Sequence, residues 1–419
     1  MKVMILGSGG REHALGWKLA QSPQLEQLYF VPGNPGTRDY GTNLDLKASN
    51  EIVDFCVTEK VDLVVPGPEA WLMKGIVDDL KKAGVRTFGP TRAAAMLEGS
   101  KAFAKRLMEK ASVPTAAYAE FKEAKAAMQY LKTTSFPCVV KADGLAAGKG
   151  VTICTNLEEA EQAIQQTMVE RKFGDAGDSV VIEEFLTGTE ASFHLLCDGK
   201  RAISLVSAQD HKALYDGNKG PNTGGMGTFA PSPLVTPQME ATIRQDIAEP
   251  VLMAMAEEGT PFIGSLFIGL MLTYHGPRVL EFNCRFGDPE TQVMMPLLDE
   301  DLLPILMAAA DGNLPDQPQT KTKDGHAVCV ILASKGYPEA PEKGKEIRFP
   351  KTMPSDDLIV FHAGTREDSE GRILTAGGRV LGITAQAPTM EKTREHVYEA
   401  IKKIHFDGMY YRNDIGGLK

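Results

Sequence analysis

The sequence predicts a multidomain chain of mixed α/β and α+β class, with a parallel α/β domain at its N-terminus. Three observations carry this. Over roughly the first hundred residues, short apolar runs alternate with stretches of helical spacing. The Gly/Pro-rich segments there all fall at strand ends, where open α/β sheets bind ligands. Past a polar linker at 312–325, GNLPDQPQTKTKDG, the pattern changes to short strands followed by one helix. With 419 residues and ~100–200 per domain, several domains are expected, and we place them at 1–100, 101–320 and 321–419.

In chain order, residues 2–6 read as a strand ended by Gly7-Ser8-Gly9-Gly10, and 13–21 as a helix. A second strand, 28–31, ends in Pro32-Gly33-Asn34-Pro35-Gly36. Helix 52–58 leads to a third strand, 61–65, ended by Pro66-Gly67-Pro68-Glu69; helix 75–83 leads to a fourth, 85–88. A basic amphipathic helix follows at 101–111. Strands 136–140 and 151–154 flank KADGLAAGKG (141–150), which is therefore a hairpin loop. The next helix has Asn156 as its N-cap and Glu159 three residues on. Strand 180–185 precedes a hairpin of 190–197 and 202–208. Residues 209–229 form a long Gly-rich loop, and loops of that length are usually functional. Helix 238–258 and strands at 266–272 and 279–285 complete the central region. Strands at 326–333, 358–363 and 379–384 and helix 390–404 form the α+β end.

An apolar fraction of 43% with 24% charged residues allows a full core. The net charge of −10 argues against nucleic-acid and membrane partners, which need a basic face, but leaves room for a local cation cluster binding a small anion. Six scattered cysteines, with no CxxC pair, suit a reducing cytoplasm. The apolar start is short and soon reaches Arg11-Glu12, so no signal peptide is expected; the run 266–272 is far below the roughly 18 residues that span a bilayer. A soluble cytoplasmic monomer is the expectation.

The most informative stretch is VLEFNCRFGDPE (279–290). On a strand, Glu281, Asn283 and Arg285 point to one face. A divalent metal carrying phosphate would satisfy all three, because Mg²⁺ takes one or two carboxylate or amide oxygens plus phosphate oxygens, and Arg suits the anion beside it. An ordinary Glu–Arg pair on a sheet accounts for the same residues equally well. In the hairpin, Gly144, Gly148, Lys149 and Gly150 approach a P-loop pattern, but the spacing is short and Gly150 stands where Ser or Thr would be. A glycine hairpin can still fold its amides over β- and γ-phosphates, with Lys141 and Lys105 on the α- and β-phosphates. Solvated surface lysines are the plain alternative, a reasonable one for Lys105 alone. At Glu183-Glu184-Phe185-Leu186, backbone groups could pair with an adenine edge and Glu190 could hold ribose hydroxyls; acidic strand ends are more often simply solvated. Gly7–His13 falls short of a dinucleotide fingerprint, since Glu12 stands where the third glycine belongs, yet a Gly-rich turn into a helix can hold phosphate.

The order of lysine helix, lysine strand, glycine hairpin, EEFL strand end, long glycine loop and E-x-N-x-R strand resembles the ATP-grasp enzymes, over about residues 101–298. Five segments are similar more closely to the phosphoribosylamine–glycine ligases, the GAR synthetases of purine biosynthesis: GSGGREHA (7–14), KADGLAAGKGV (141–151), GPNTGGMGTFAP (220–231), EFNCRFGDPETQ (281–292) and AGGRVLG (376–382). The resemblance implies an ATP-grasp core with a hinged small lobe at 118–190. It implies the reaction of ATP, glycine and 5-phosphoribosylamine to ADP, phosphate and glycinamide ribonucleotide through glycyl phosphate. Glu281 and Asn283 would hold Mg²⁺ or Mn²⁺, with Arg285 and Lys141 the catalytic pair at the phosphoryl group. Gly9, Gly10, Arg11 and Glu12 would contact phosphoribosylamine; Asp216, Asn222, Thr223, Gly225, Met226, Asp288 and Glu290 are candidates near either substrate. The strand 266–272 lacks the extra acidic metal ligand of many ATP-grasp enzymes. Other readings are a different ATP-grasp ligase or carboxylase acting on a purine intermediate, and a nucleotide-binding regulator without chemistry.

Overall fold

The computed structural model describes residues 1–146, 150–352 and 357–417. Its first sheet is built from β1 (Lys2–Gly7), β2 (Gln27–Pro32), β3 (Thr42–Asn43) and β4 (Leu63–Pro66), all parallel in the order β3-β2-β1-β4. Around it lie α1 (Gly10–Leu19), α2 (Ser49–Glu59), α3 (Glu69–Lys74), α4 (Ile76–Lys82) and α5 (Arg92–Gly99). Two expectations need correction here. Helix α1 begins three residues early, at the glycine turn itself, because the Glu12 carboxylate accepts the Gly9 N–H at 2.6 Å and caps it. The fourth expected strand, 85–88, is a single parallel bridge from Thr87 to Val64, and β3 takes the fourth place in the sheet instead.

Helix α6 (Lys101–Lys110) leads into a four-stranded sheet of order β5-β8-β6-β7, from β5 (Tyr118–Phe121), β6 (Cys138–Ala142), β7 (Val151–Cys154) and β8 (Val180–Glu184). Helices α7 (Ala124–Leu131) and α8 (Leu157–Ile164) pack on its apolar side. Strands β6 and β7 pair antiparallel from Cys138–Cys154 to Lys141–Val151, so the glycine segment is a hairpin loop as expected.

The next sheet, β10-β9-β15-β16, contains β9 (Thr189–Asp198) and β10 (Ala202–Ser204). The expected loop 209–229 is instead made of short strands: β11 (Gln209–Asp210), β12 (Ala213–Tyr215), β13 (Lys219–Asn222) and β14 (Gly227–Ala230). The helix expected at 238–258 is α9 (Pro237–Ile243) and α10 (Glu249–Glu257), joined by a π turn at Arg244–Ala248. Strands β15 (Ile263–Thr273) and β16 (Gly276–Asn283) close the sheet, followed by α11 (Thr291–Leu297) and α12 (Leu302–Ala310).

The last sheet runs β11-β14-β17-β21-β18, with β17 (His326–Ala333), β18 (Leu358–His362), the small β19 (Thr365–Glu367) and β20 (Ile373–Thr375) pair, and β21 (Arg379–Ala387) under α13 (Met390–Ile401). Strand β14 thus pairs across the linker with β17, and β11 joins the same sheet through β14. Among the described residues no helix is long and apolar enough to cross a membrane.

Helix α1 lies against β2 at one close approach. A Cβ on Gly16 would sit 2.4 Å from Phe30 Cζ, and Phe30 is fully buried. Gly16→Val is therefore expected to lower stability by about 1–3 kcal/mol through overpacking. Urea unfolding followed by circular dichroism checks this; an unchanged midpoint contradicts it.

Candidate active site

Strand register sets which side chains face the cleft. In the first of the two middle sheets, Val139, Lys141, Val151, Ile153, Val181 and Glu183 share one side. The other side, with Cys138, Val140, Cys154, Val180 and Ile182, is packed core. Val151 and Ile153 are 37% and 52% exposed, an apolar strip on the same side as Lys141. That combination suits a flat ring carrying anionic groups.

Glu183 organises the lysines. Its two carboxylate oxygens take Lys105 Nζ at 3.1 Å and Lys141 Nζ at 3.0 Å. Burial pushes the Lys105 ammonium down to about 8, Lys141 adds to the fall, and Glu183 opposes it. Lys141 also donates to the Leu280 carbonyl of β16 at 3.0 Å, so this lysine joins the two sheets. Nearby, Arg278 pairs with Glu184 at 3.0 Å, and the Glu184 carboxylate also accepts the Ala117 N–H at 3.0 Å. Phe185 is exposed and Leu186 half-buried beyond them. At the hairpin base, Asp143 accepts from Ser100 Oγ, the Ala102 N–H and Ser179 Oγ, fixing the loop to the start of α6. Gly144 has φ +156°, and a Cβ there would meet Ala176 at 2.7 Å. Gly150 lies at the end of the same loop; Gly148 and Lys149 fall outside the described residues.

On the second sheet, Ser192, Gly269 and Glu281 lie in one cross-strand row, and His194, Phe267 and Asn283 in the next. The strand ends at Asn283, so Arg285 stands just beyond it rather than on it. Asn283 Oδ1 nevertheless accepts from Arg285 Nη2 at 3.3 Å, keeping the two together. Burial opposes charge on Glu281, but Lys212, Lys101, Lys141 and Arg285 outweigh it and hold its pKa below the usual carboxylate value. Arg285 pairs through Nε with Glu69 at 2.8 Å and Glu98 at 3.4 Å. Lys212 pairs with Glu190 at 3.1 Å, and both line a small hollow with Ser192, Asp210 and Gly269.

The turn after Arg285 draws in other domains. Asp288 accepts from Gln292 at 2.9 Å and pairs with Arg379 of β21 at 3.1 Å; Arg379 also donates to the Gly224 carbonyl at 2.6 Å. Gly225, with φ +108°, passes so close that a Cβ would meet Pro289 at 2.5 Å and Asp210 at 2.7 Å. Buried Glu290 accepts from Ser192 Oγ at 3.0 Å. Burial raises Glu290 and Asp210, and Glu290 raises Asp210 further. Arg11 Nη1 donates to the Phe286 carbonyl at 3.2 Å and its Nε pairs with Glu12 at 2.5 Å, which places the Gly9-Gly10 turn beside Asp288 and Gln292.

Four of the candidate substrate residues have local partners or places of their own in the fold. Asp216 accepts the Asn413 N–H at 2.8 Å, and Asn222 sits exposed on the β12–β13 hairpin. Met226 is core, packed with Leu214 and Ala333, while Thr223 Oγ1 donates to the Lys212 carbonyl at 2.8 Å. In return the structure adds Glu69, Glu98, Lys101, Asp210, Lys212 and Arg379. Lys212 and Arg379 could have been found inside the long Gly-rich segment and the AGGRVLG segment; Glu98 carries no local signal.

Three parts of one family match this chain in order: the phosphoribosylglycinamide synthetase N domain over residues 1–98, its ATP-grasp (A) domain over 99–291 and its C domain over 327–418. The chain belongs to the phosphoribosylglycinamide synthetase family. A curated member from Brucella melitensis biotype 1, phosphoribosylamine–glycine ligase, is 49% identical over 419 residues, covering 99% of this chain and 97% of that one. The crystal structure of phosphoribosylamine–glycine ligase from Thermotoga maritima superposes with a TM-score of 0.88 at 35% identity, covering 99% of this chain and all of that one. The biotin carboxylase domain of Hydrogenobacter thermophilus 2-oxoglutarate carboxylase, solved with MgADP, shares the fold with a TM-score of 0.74 at 18% identity, covering 98% and 91% of the two chains.

For a synthetase of this family the residues fit a magnesium nucleotide. Among the described residues no three His, Cys, Asp or Glu side chains converge to cage a metal. A charged Glu281 beside the Asn283 amide oxygen is the ligand-poor set that Mg²⁺ accepts when phosphates complete its shell. A role for Lys105 at the nucleotide would show in the pH dependence of ATP binding. Its cation is complete below about 8 and lost above it, so ATP affinity is expected to weaken as pH rises through that value. Glu183→Gln removes the opposing carboxylate and should move the loss to lower pH. Calorimetric titration of ATP from about pH 6.5 to 9.5 checks both; an affinity flat over that range in both proteins contradicts the assignment.

Proposed function

We propose that this chain joins glycine to 5-phosphoribosylamine at the expense of ATP, releasing ADP, phosphate and glycinamide ribonucleotide through glycyl phosphate. The observation that carries the reading is that Lys212, Lys101, Lys141 and Arg285 together outweigh burial and hold the Glu281 carboxylate low, inside a fold of this family. In the first step a glycine carboxylate oxygen forms a bond to the γ-phosphorus as the bridging P–O bond to ADP breaks. In the second, the amine of phosphoribosylamine attacks the acyl carbon and phosphate leaves. No enzyme nucleophile takes part; the protein contributes position and charge.

Glu281 and Asn283 would hold Mg²⁺ or Mn²⁺, which when bound supplies charge neutralisation of the phosphate oxygens. Lys141 and Lys105, fixed by Glu183, bind the nucleotide phosphates, and Val151 and Ile153 give its ring an apolar bed, with Gly144 and Gly150 at the adjoining loop; the expected phosphate contacts of Gly148 and Lys149 lie outside the described residues. Glu184, Phe185 and Leu186 border the ring, and Glu190 the ribose. Arg285 orients the moving phosphoryl group. Gly9, Gly10, Arg11 and Glu12 sit with Gly225, Asp288 and Glu290 at the junction where the ribosylamine would enter. The reading takes the working unit to be a monomer. Six free buried cysteines suit the cytoplasm.

ADP release with glycine and phosphoribosylamine, omitting each in turn, is the test. Release that needs both supports the reading; release indifferent to glycine, or dependent on bicarbonate, overturns it in favour of a carboxylase. A separate expectation concerns Glu281→Ala, which should lower turnover by on the order of 10²–10³ with an unchanged circular dichroism spectrum. Wild-type rates at limiting Mg²⁺ would refute the metal role.

A further inference from the structure

Arg285 is held from outside its own domain. Glu69 is the first residue of α3 and Glu98 lies in the last turn of α5, both inside the N-domain match, whereas Arg285 follows β16 of the ATP-grasp match. Both carboxylates approach the same nitrogen, Nε, at 2.8 and 3.4 Å. Glu98 does a second thing: its other oxygen accepts the Cys284 N–H at 2.7 Å, fixing the backbone one residue past Asn283. Glu98 is largely enclosed, with a side chain 9% exposed, so the contact is partly shielded from water and salt.

A guanidinium has five N–H donors in a rigid fork. Among the described residues Nε–H is engaged by Glu69, one Nη1–H by the Phe286 carbonyl at 3.2 Å, and one Nη2–H by Asn283 Oδ1 at 3.3 Å. One N–H on each Nη is left, the arrangement that grips two oxygens of one phosphoryl group. Two carboxylates are more than neutralising one guanidinium needs. What the second adds is direction, because Glu98 ties the guanidinium to the end of the strand that carries Glu281 and Asn283.

We propose that Glu69 and Glu98 form a positioning cradle for Arg285, holding its Nε edge so that the free N–H on each Nη meets the transferred phosphoryl group. This rests on Arg285 serving the phosphoryl step. It makes that step conditional on the N-terminal domain being docked, since both cradle residues belong to it.

The experiment is steady-state kinetics of Glu98→Gln, Glu69→Gln, Arg285→Lys and the doubles. Glu69→Gln keeps size and an acceptor for Nε but loses charge; Glu98→Gln loses charge and also one of the two acceptor oxygens that now serve Nε and the Cys284 N–H. We expect kcat to fall at least ~10-fold with KM for ATP and glycine within ~3-fold, because an interaction strongest in the transition state is lost. Combined with Arg285→Lys, neither should slow the enzyme further by more than ~2-fold, since the cradle acts through that guanidinium. A purely structural tie would lower the melting temperature, leave kcat intact and multiply with Arg285→Lys. That outcome overturns the cradle. Wild-type kcat in Arg285→Lys would instead overturn the reading of Arg285 itself. Should Glu98→Gln fail to fold, Glu69→Gln, with a side chain 30% exposed, decides by the same criteria.

Discussion

One guanidinium ties this structure together. Arg285 stands at the end of β16, and its partners come from α3, from α5 and from the strand itself. Arg285 has a side chain only 18% exposed, and an ion pair this enclosed is destabilising when a partner is lost, so the three elements must dock in one arrangement. Burial opposes its charge, yet Glu98 and Glu69 outweigh it and keep the guanidinium protonated. The strand that carries Glu281 and Asn283 is thereby locked relative to the N-terminal domain.

The same logic repeats a few residues away. Lys141 on one sheet reaches a carbonyl of the other, and Glu183 pairs it with Lys105. Lys212 is brought by the β11–β14 segment, which is itself anchored in the C-terminal sheet. Each cation around Glu281 thus arrives on a different element, and each has a carboxylate or carbonyl that fixes it before any phosphate comes. Groups set in place beforehand need little rearrangement at the moment of reaction, which is how charge stabilisation becomes effective in a water-poor cleft.

Much of this was legible in the chain. The E-x-N-x-R spacing identifies the central strand because side chains alternate with period two, and the hairpin of β6 and β7 is bounded by its own glycines. What could not be read depends on distance in sequence. Glu69 and Glu98 meet residues 216 and 186 positions away, with no local pattern to announce them. The segment 209–229 looks like a loop because strands of two to four residues with Gly and Pro show no alternation; its order comes from β17, about a hundred residues later. The same distance in sequence hides the contact of Asp216, whose carboxylate accepts the Asn413 N–H. Arg285 was placed on the strand, whereas it sits past its end, where the chain turns toward Asp288.

The central claim is that Glu281 and Asn283 mark the metal and Arg285 the phosphoryl group. Anomalous diffraction from crystals grown with Mn²⁺ and a non-hydrolysable ATP analogue addresses it directly. The account predicts one anomalous peak at about 2 Å from a Glu281 oxygen and Asn283 Oδ1, bridging phosphate oxygens, with the γ-phosphate against Arg285. A peak bound elsewhere, or a γ-phosphate out of reach of Arg285, would contradict it.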